Sequence, residues 1–149
     1  MTKENEADKT TDSLAIQNKI AIVVDPNLER GQIANRCAVL ATGLAARHPE
    51  IIGPDLRTED GVELPGFTKV PIVVLSGRET PLVQLAQRAR EQGCTTLVFL
   101  ARAQGLRSYE AYRDSVAGST ADKLDVDAFI AYGPHKALNK VTGSLPALR

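Results

Sequence analysis

KIAIVVDPNLERGQIANRCAVLATGLAAR, residues 19–47, reads as a strand, a proline turn and a long helix. Ile20, Ala21, Ile22, Val23 and Val24 form an unbroken, mostly β-branched apolar run, as expected of a strand covered on both faces. Asp25-Pro26-Asn27 ends it, because proline brings no ladder donor and its neighbours bond their own backbone in turns. After Gly31, the residues Ile33, Cys37, Leu40, Ala41, Leu44 and Ala45 recur at three- and four-residue spacing, which is one helix face. Ala34, Ala38, Ala41 and Ala45 keep the helix slim enough to lie close to a sheet or a second subunit.

On the C-terminal side the pattern continues in strands and helices. The segment Ile51–Phe67 carries Gly53, Pro54, Gly61, Pro65 and Gly66 around Thr58-Glu59-Asp60-Gly61, which predicts a short hairpin or an irregular excursion at the sheet edge. Val70–Leu75 is a second apolar strand. Thr80-Pro81 resembles an N-cap followed by proline in the first helical position. Leu82, Val83, Leu85, Ala86 and Ala89 supply that helix's buried face, Gly93 its stop, and Thr95–Leu100 the third strand. Strand, helix and strand in this order predict a βαβ unit with parallel strands. Ser108–Val116 predicts a short helix, Val126–Tyr132 a fourth strand, and Gly133-Pro134 opens a last helix closed by Gly143. The fold class is therefore α/β: a three-layer α/β/α sandwich around a mostly parallel, mixed sheet of about four strands.

The 149 residues are 43% hydrophobic, which suits one α/β domain over residues 14–149 that needs no metal or disulfide to stabilise its core. Residues 1–13 are polar and aperiodic and predict a disordered tail. Lysine plus arginine equals aspartate plus glutamate at 18 each. Setting aside Lys3, Lys9, Glu4, Glu6, Asp8 and Asp12 of the tail leaves 16 basic and 14 acidic side chains, so no global charge drives the body onto nucleic acid or an anionic membrane. Cys37 and Cys94 read as reduced core residues, and the two histidines, His48 and His135, show no zinc-ligand spacing with them. No cofactor or metal is expected. The chain begins without an apolar leader and has no membrane-length apolar run, so a cytoplasmic location is expected.

Residues at both ends of the chain carry a family resemblance. The opening strand with its Leu28 turn and Gly31-Gln32-Ile33-Ala34-Asn35-Arg36-Cys37-Ala38 resembles the start of type II peptidyl-tRNA hydrolases. Ala131-Tyr132-Gly133-Pro134 and Lys140-Val141-Thr142-Gly143-Ser144-Leu145 are similar to that family's closing strand, Gly-Pro turn and Lys-Val-Thr-Gly-His-Leu segment. An uncharacterised bacterial group, the domain-of-unknown-function 2000 family, is the nearer likeness. The resemblance runs from Lys19 to Leu145 and implies a type II hydrolase-like fold, a homodimer and an aminoacyl- or peptidyl-tRNA ester as the substrate of any enzyme. Against the hydrolase pattern, Gln32 stands where a lysine is expected, Arg36 replaces a glutamine and Val39 falls where a histidine belongs. The acidic residue after the third strand, aligned near Leu100-Ala101-Arg102, is missing. Ester hydrolysis needs a group to activate water, so the resemblance does not extend to ordinary hydrolase activity.

Ligands of open α/β sheets collect at the C-terminal ends of strands. Those turns hold Asp25, Asn27 and Arg30, then Ser76 and Arg78, then Arg102 and Gln104, which together could form a polar cleft; the same residues also serve as turn formers and solvated surface. His135 and Lys136 open the last helix, where unpaired amides favour phosphate or carboxylate, or are simply exposed first-turn residues. Arg102, Arg107 and Arg113 interleave with Tyr109 and Tyr112 as a single-stranded RNA contact would, although the tyrosines also fit one packed side of a short helix.

Three functions follow as alternatives. The chain binds a small anionic ligand or an RNA end in an Asp25/Arg78/Arg102 cleft, or it hydrolyses tRNA-linked esters with Asp25 or His135 as base, or it is a structural homo-oligomeric subunit.

Overall fold

The computed structural model describes residues 13–149. The polar segment assigned to residues 1–13 falls, apart from Ser13, outside that range. Strand β1 (Asn18–Val24) is followed by α1 (Arg30–Arg47). A two-stranded hairpin comes next, β2 (Leu56–Arg57) and β3 (Glu63–Leu64), with Gly61 in the left-handed region at φ 89°. Then follow β4 (Ile72–Ser76), α2 (Leu82–Glu91) and β5 (Thr95–Leu100). Short 3-10 turns and α3 (Tyr109–Ala117) lead to β6 (Val126–Pro134), which runs directly into α4 (His135–Thr142).

The main sheet is mixed, in the order β4-β1-β6-β5. β1 is parallel to β4, with Val24 opposite Ser76. β6 is antiparallel to both β1 and β5. Two sequence expectations change here. Of three pairings only one is parallel, so the sheet is less parallel than expected. β4 and β5 do point the same way, yet β1 and β6 lie between them, so the βαβ unit spans the sheet instead of joining neighbours.

Alternation along the central strands divides the core into two halves. Ile20, Ile22 and Val24 of β1 join Ala128, Ile130 and Tyr132 of β6 beneath Leu40 and Leu44 of α1. Ala21, Val23, Phe129 and Ala131 face the other way, onto Leu82, Leu85, Ala86 and Ala89 of α2 and Leu138 and Val141 of α4. Helices thus cover both faces, which gives the three layers expected from the sequence. α1 lies so close to β5 that a Cβ at Gly43 would sit 2.6 Å from Leu97 Cδ2. α2 begins one residue later than the sequence suggests: Pro81 occupies the N-cap position, and Thr80 makes no capping bond. Among the described residues no helix is long and apolar enough to cross a membrane.

Candidate functional site

β1 and β4 end side by side, and the two turns that leave them are fastened together. Gly77 N–H donates to the Val24 carbonyl at 2.8 Å, and Asp25 N–H donates to the Asp127 carbonyl of β6 at 2.9 Å. A Cβ on buried Gly77 would lie 2.8 Å from Leu82 Cδ2 and 3.2 Å from the Val24 carbonyl oxygen, so the close approach depends on glycine. Within the first turn, Asn27 N–H donates to Asp25 Oδ1 at 2.9 Å and Leu28 N–H to the Asp25 carbonyl at 3.3 Å. The result is a cleft of about 500 Å³ bordered by Asp25, Asn27, Arg78, Thr80, Pro81 and Val126. The N-terminus of α2 meets it through Pro81 and Leu82, with no side-chain cap and no acidic residue in its first turn.

The other residues singled out in the sequence go elsewhere. Arg30 and Ser76 border a neighbouring cavity of about 660 Å³ with Ile33 and the C-terminal Pro146–Arg149. Arg102 does not join Asp25 and Arg78. Its Nε donates to Asp125 Oδ1 at 2.6 Å, its backbone N–H to Asp125 Oδ2 at 2.8 Å, and its Nη1 to the Ser115 carbonyl and Ser119 Oγ at 3.0 and 2.9 Å. That arginine is a clamp holding the Ala101–Asp125 segment. Burial pushes the Asp125 carboxyl up, but the bonds from Arg102 and its charge outweigh this and hold it below the usual range. His135 and Lys136 are exposed at the far end of the sheet, where Pro134 pairs with Asn18 at the start of β1. Distance therefore removes His135 from any site built on Asp25.

Gln104 belongs to a cluster that the sequence reading missed. Arg36 of α1, buried on the sheet, donates from Nε to Asp127 Oδ1 at 3.2 Å and from Nη2 to Asp127 Oδ2 at 2.8 Å. The same Nη2 donates to Gln104 Oε1 at 2.9 Å, Gln32 Nε2 reaches that oxygen at 3.3 Å, and the guanidinium carbon stands 4.4 Å above the Phe99 ring. A hollow of about 520 Å³ opens here, lined by Gln32, Arg36, Val39 and Phe99 among others. Gln32, Arg36 and Val39 thus share one wall, beside a carboxylate already held by an arginine. A signal was present in the sequence. Arg36 falls three residues after Ile33 and four before Leu40, on the apolar stripe, where a charge needs a buried partner.

His48 and the two cysteines lie in structural surroundings. His48 caps the end of α1; its Nδ1 meets Glu50 Oε1 and its Nε2 meets Thr95 Oγ1, both at 2.8 Å. The His48 hydrogen bond holds the Glu50 carboxyl below its ordinary value. Cys37 and Cys94 are free thiols that burial pushes up, which disfavours the nucleophilic thiolate. Tyr112 is partly buried, whereas Tyr109 is 81% exposed and does not pack as the spacing suggests. Among the described residues no cluster of three or more His, Cys, Asp or Glu side chains could hold a metal ion.

Comparison with known proteins adds fold and family. No curated protein matches the chain. A solved structure of Atu0240, a protein of unknown function from Agrobacterium tumefaciens strain C58, superposes with a TM-score of 0.80 at 25% identity, covering 88% of this chain and 97% of that one. Residues 18–149, from the first strand to the last residue, match the model of the family described as protein of unknown function (DUF2000), and the chain belongs to that family.

Proposed function

We propose that this chain is a binding domain for a small anionic ligand or an RNA end, seated between Asp25, Asn27 and Arg78 and lacking ordinary peptidyl-tRNA hydrolase activity. The observation that carries this reading is the Gly77–Val24 hydrogen bond, which brings the turns after two adjacent parallel strands to one cleft. Ligands favour such strand ends in open α/β sheets. Arg78 is exposed and enters no ion pair among the described residues, so it can meet a phosphate or carboxylate. The uncapped start of α2 adds partial positive charge on the same side. Asp25 and Asn27 provide acceptors for hydroxyl or amine groups, which favours a ligand carrying both an anion and hydrogen-bond donors, as a nucleotide does.

Support for the non-hydrolytic part comes from the other cluster. Val39 cannot move a proton, and Asp127 is paired with Arg36 instead of facing water. Chemical-shift mapping of the full chain with a nucleoside monophosphate and with uncharged tRNA tests the reading. Shifts at Asp25, Asn27 and Arg78 that vanish in Arg78→Ala are expected; the absence of shifts with every probe would remove it. Discharge of a labelled aminoacyl-tRNA, lost in Asp25→Ala, would replace it with the ester-hydrolase alternative.

A further inference from the structure

The two edges of the main sheet are treated differently. At β4 the chain covers itself: Leu75 bridges to Ala147, Ser76 N–H donates to the Pro146 carbonyl at 2.9 Å, and Leu148 N–H to the Val74 carbonyl at 3.0 Å. At the opposite edge, β5 pairs only with β6 among the described residues, and its outer backbone groups have no strand beside them. An uncovered edge rich in Leu, Val and Phe is a template for another strand.

A groove of about 690 Å³ runs along this edge, floored by residues 96–100 of β5 and walled by Val39 of α1 and Tyr112 of α3. Its charge is one-sided. Arg47, Arg90 and Arg107 line it, and no aspartate or glutamate does. None of the three enters an ion pair among the described residues. Arg47 comes from the helix on one face of the sheet and Arg90 from the helix on the other, so they flank the strand edge from both sides.

We infer that β5 takes up an extended acidic segment of a partner protein as an added strand, with apolar side chains entering the groove beside Val39 and Tyr112 and carboxylates meeting the three arginines. Main-chain bonds supply affinity in such strand addition, and alternate side chains supply selectivity. Charge decides the occupant. A second copy of this chain would bring the same arginines edge to edge, and like charges opposed across an interface disfavour pairing. Single-stranded RNA would satisfy the arginines and stack on Tyr109, but it has no backbone to complete the open β-ladder. The inference is independent of the Asp25/Arg78 cleft, which shares no lining residue with this groove.

The test is hydrogen exchange on the full chain, with a capped peptide of alternating Val and Glu as probe, a Val/Lys peptide as its charge-reversed control and oligouridylate as competitor. The Val/Glu peptide is expected to protect the outward amides of β5. The double variant Arg90→Glu/Arg107→Glu is expected to bind it about tenfold more weakly or worse and to gain affinity for the Val/Lys peptide. Failure of the Val/Glu peptide to protect β5 would overturn the proposal. So would oligouridylate binding at the groove in place of the peptide. Outward β5 amides already protected without peptide would overturn it as well, in favour of a second copy if the protein sediments as a dimer and of the chain's own covering segment if it sediments as a monomer.

Discussion

Arg36 and Asp127 form a two-pronged ion pair, at 3.2 and 2.8 Å, that joins the middle of α1 to the start of β6 across 91 residues of sequence. Both side chains are almost fully enclosed, and the pair gains a third contact through Gln104. Removing either partner leaves the other charge buried without its counter-charge. Asp127→Ala is expected to cost about 3–5 kcal/mol in urea unfolding, while Arg36→Met/Asp127→Leu is expected to cost much less, because an apolar pair avoids the desolvation penalty altogether. A double variant as damaged as the single one would mean that the pair is not the source of the loss.

The β1 assignment is tested one strand away. Val23 is fully buried between Phe129, its register partner on β6, and Leu75 on β4. Val23→Asp places an unpaired carboxylate there, and the penalty of several kcal/mol consumes most of the roughly 5–15 kcal/mol that stabilises a domain. The expected result is a chain without a cooperative unfolding transition, whereas Val62→Asp on the exposed hairpin should change stability by no more than about 0.5 kcal/mol. A folded Val23→Asp protein would contradict the burial of β1 on both faces.

The sequence disclosed elements better than their arrangement, for a physical reason. Apolar runs at 20–24 and 126–132 and the period from Ile33 to Leu44 are local consequences of burial, so they can be read directly. Nothing local says that β6 lies between β1 and β5, because that order depends on the pairing of β6 with β1, whose register partners lie more than 100 residues apart. The same gap explains the site. Asp25 and Arg78 border one cleft because β1 and β4 are neighbours, an adjacency that no local pattern announces although each residue's place in a turn after a strand is legible. Arg102 shares with them a place after a strand, but Asp125 holds it, and that partner is fixed only once β5 and β6 pair.

Arg102 and Asp125 give a pH-dependent prediction. Their hydrogen bonds hold the Asp125 carboxyl below its ordinary value despite an opposing push from burial. A depressed folded-state value means that the stabilising contribution is present above the unfolded-state value and is lost as pH falls through the folded one. Wild type should therefore exceed Asp125→Asn in stability at neutral pH, with the difference closing below about pH 4. Because the Asp125 side chain is 38% exposed, added salt should also shrink it. A difference that stays constant with pH would show that the carboxylate charge plays no part.

Glycine substitutions at two positions should act with opposite sign. Gly31 sits in the first turn of α1 with no atom within 4 Å of where its Cβ would be, so Gly31→Ala gains helix propensity and reduces unfolded-chain entropy at no steric cost. The expected gain is up to about 1 kcal/mol. Gly66 follows the hairpin, where its N–H donates to Asp55 Oδ1 at 3.0 Å and an added Cβ would collide with the carbonyl oxygens of Gly53 and Pro54. Those atoms are backbone and cannot swing aside as a side-chain tip can. The collision must open the Gly53–Phe67 contact, a 2.9 Å backbone hydrogen bond. Gly66→Ala should therefore destabilise by about 1–3 kcal/mol and raise hydrogen exchange at Gly53. Equal stability of the two variants would show that this segment relaxes freely, and the hairpin would then be only loosely tied to the sheet.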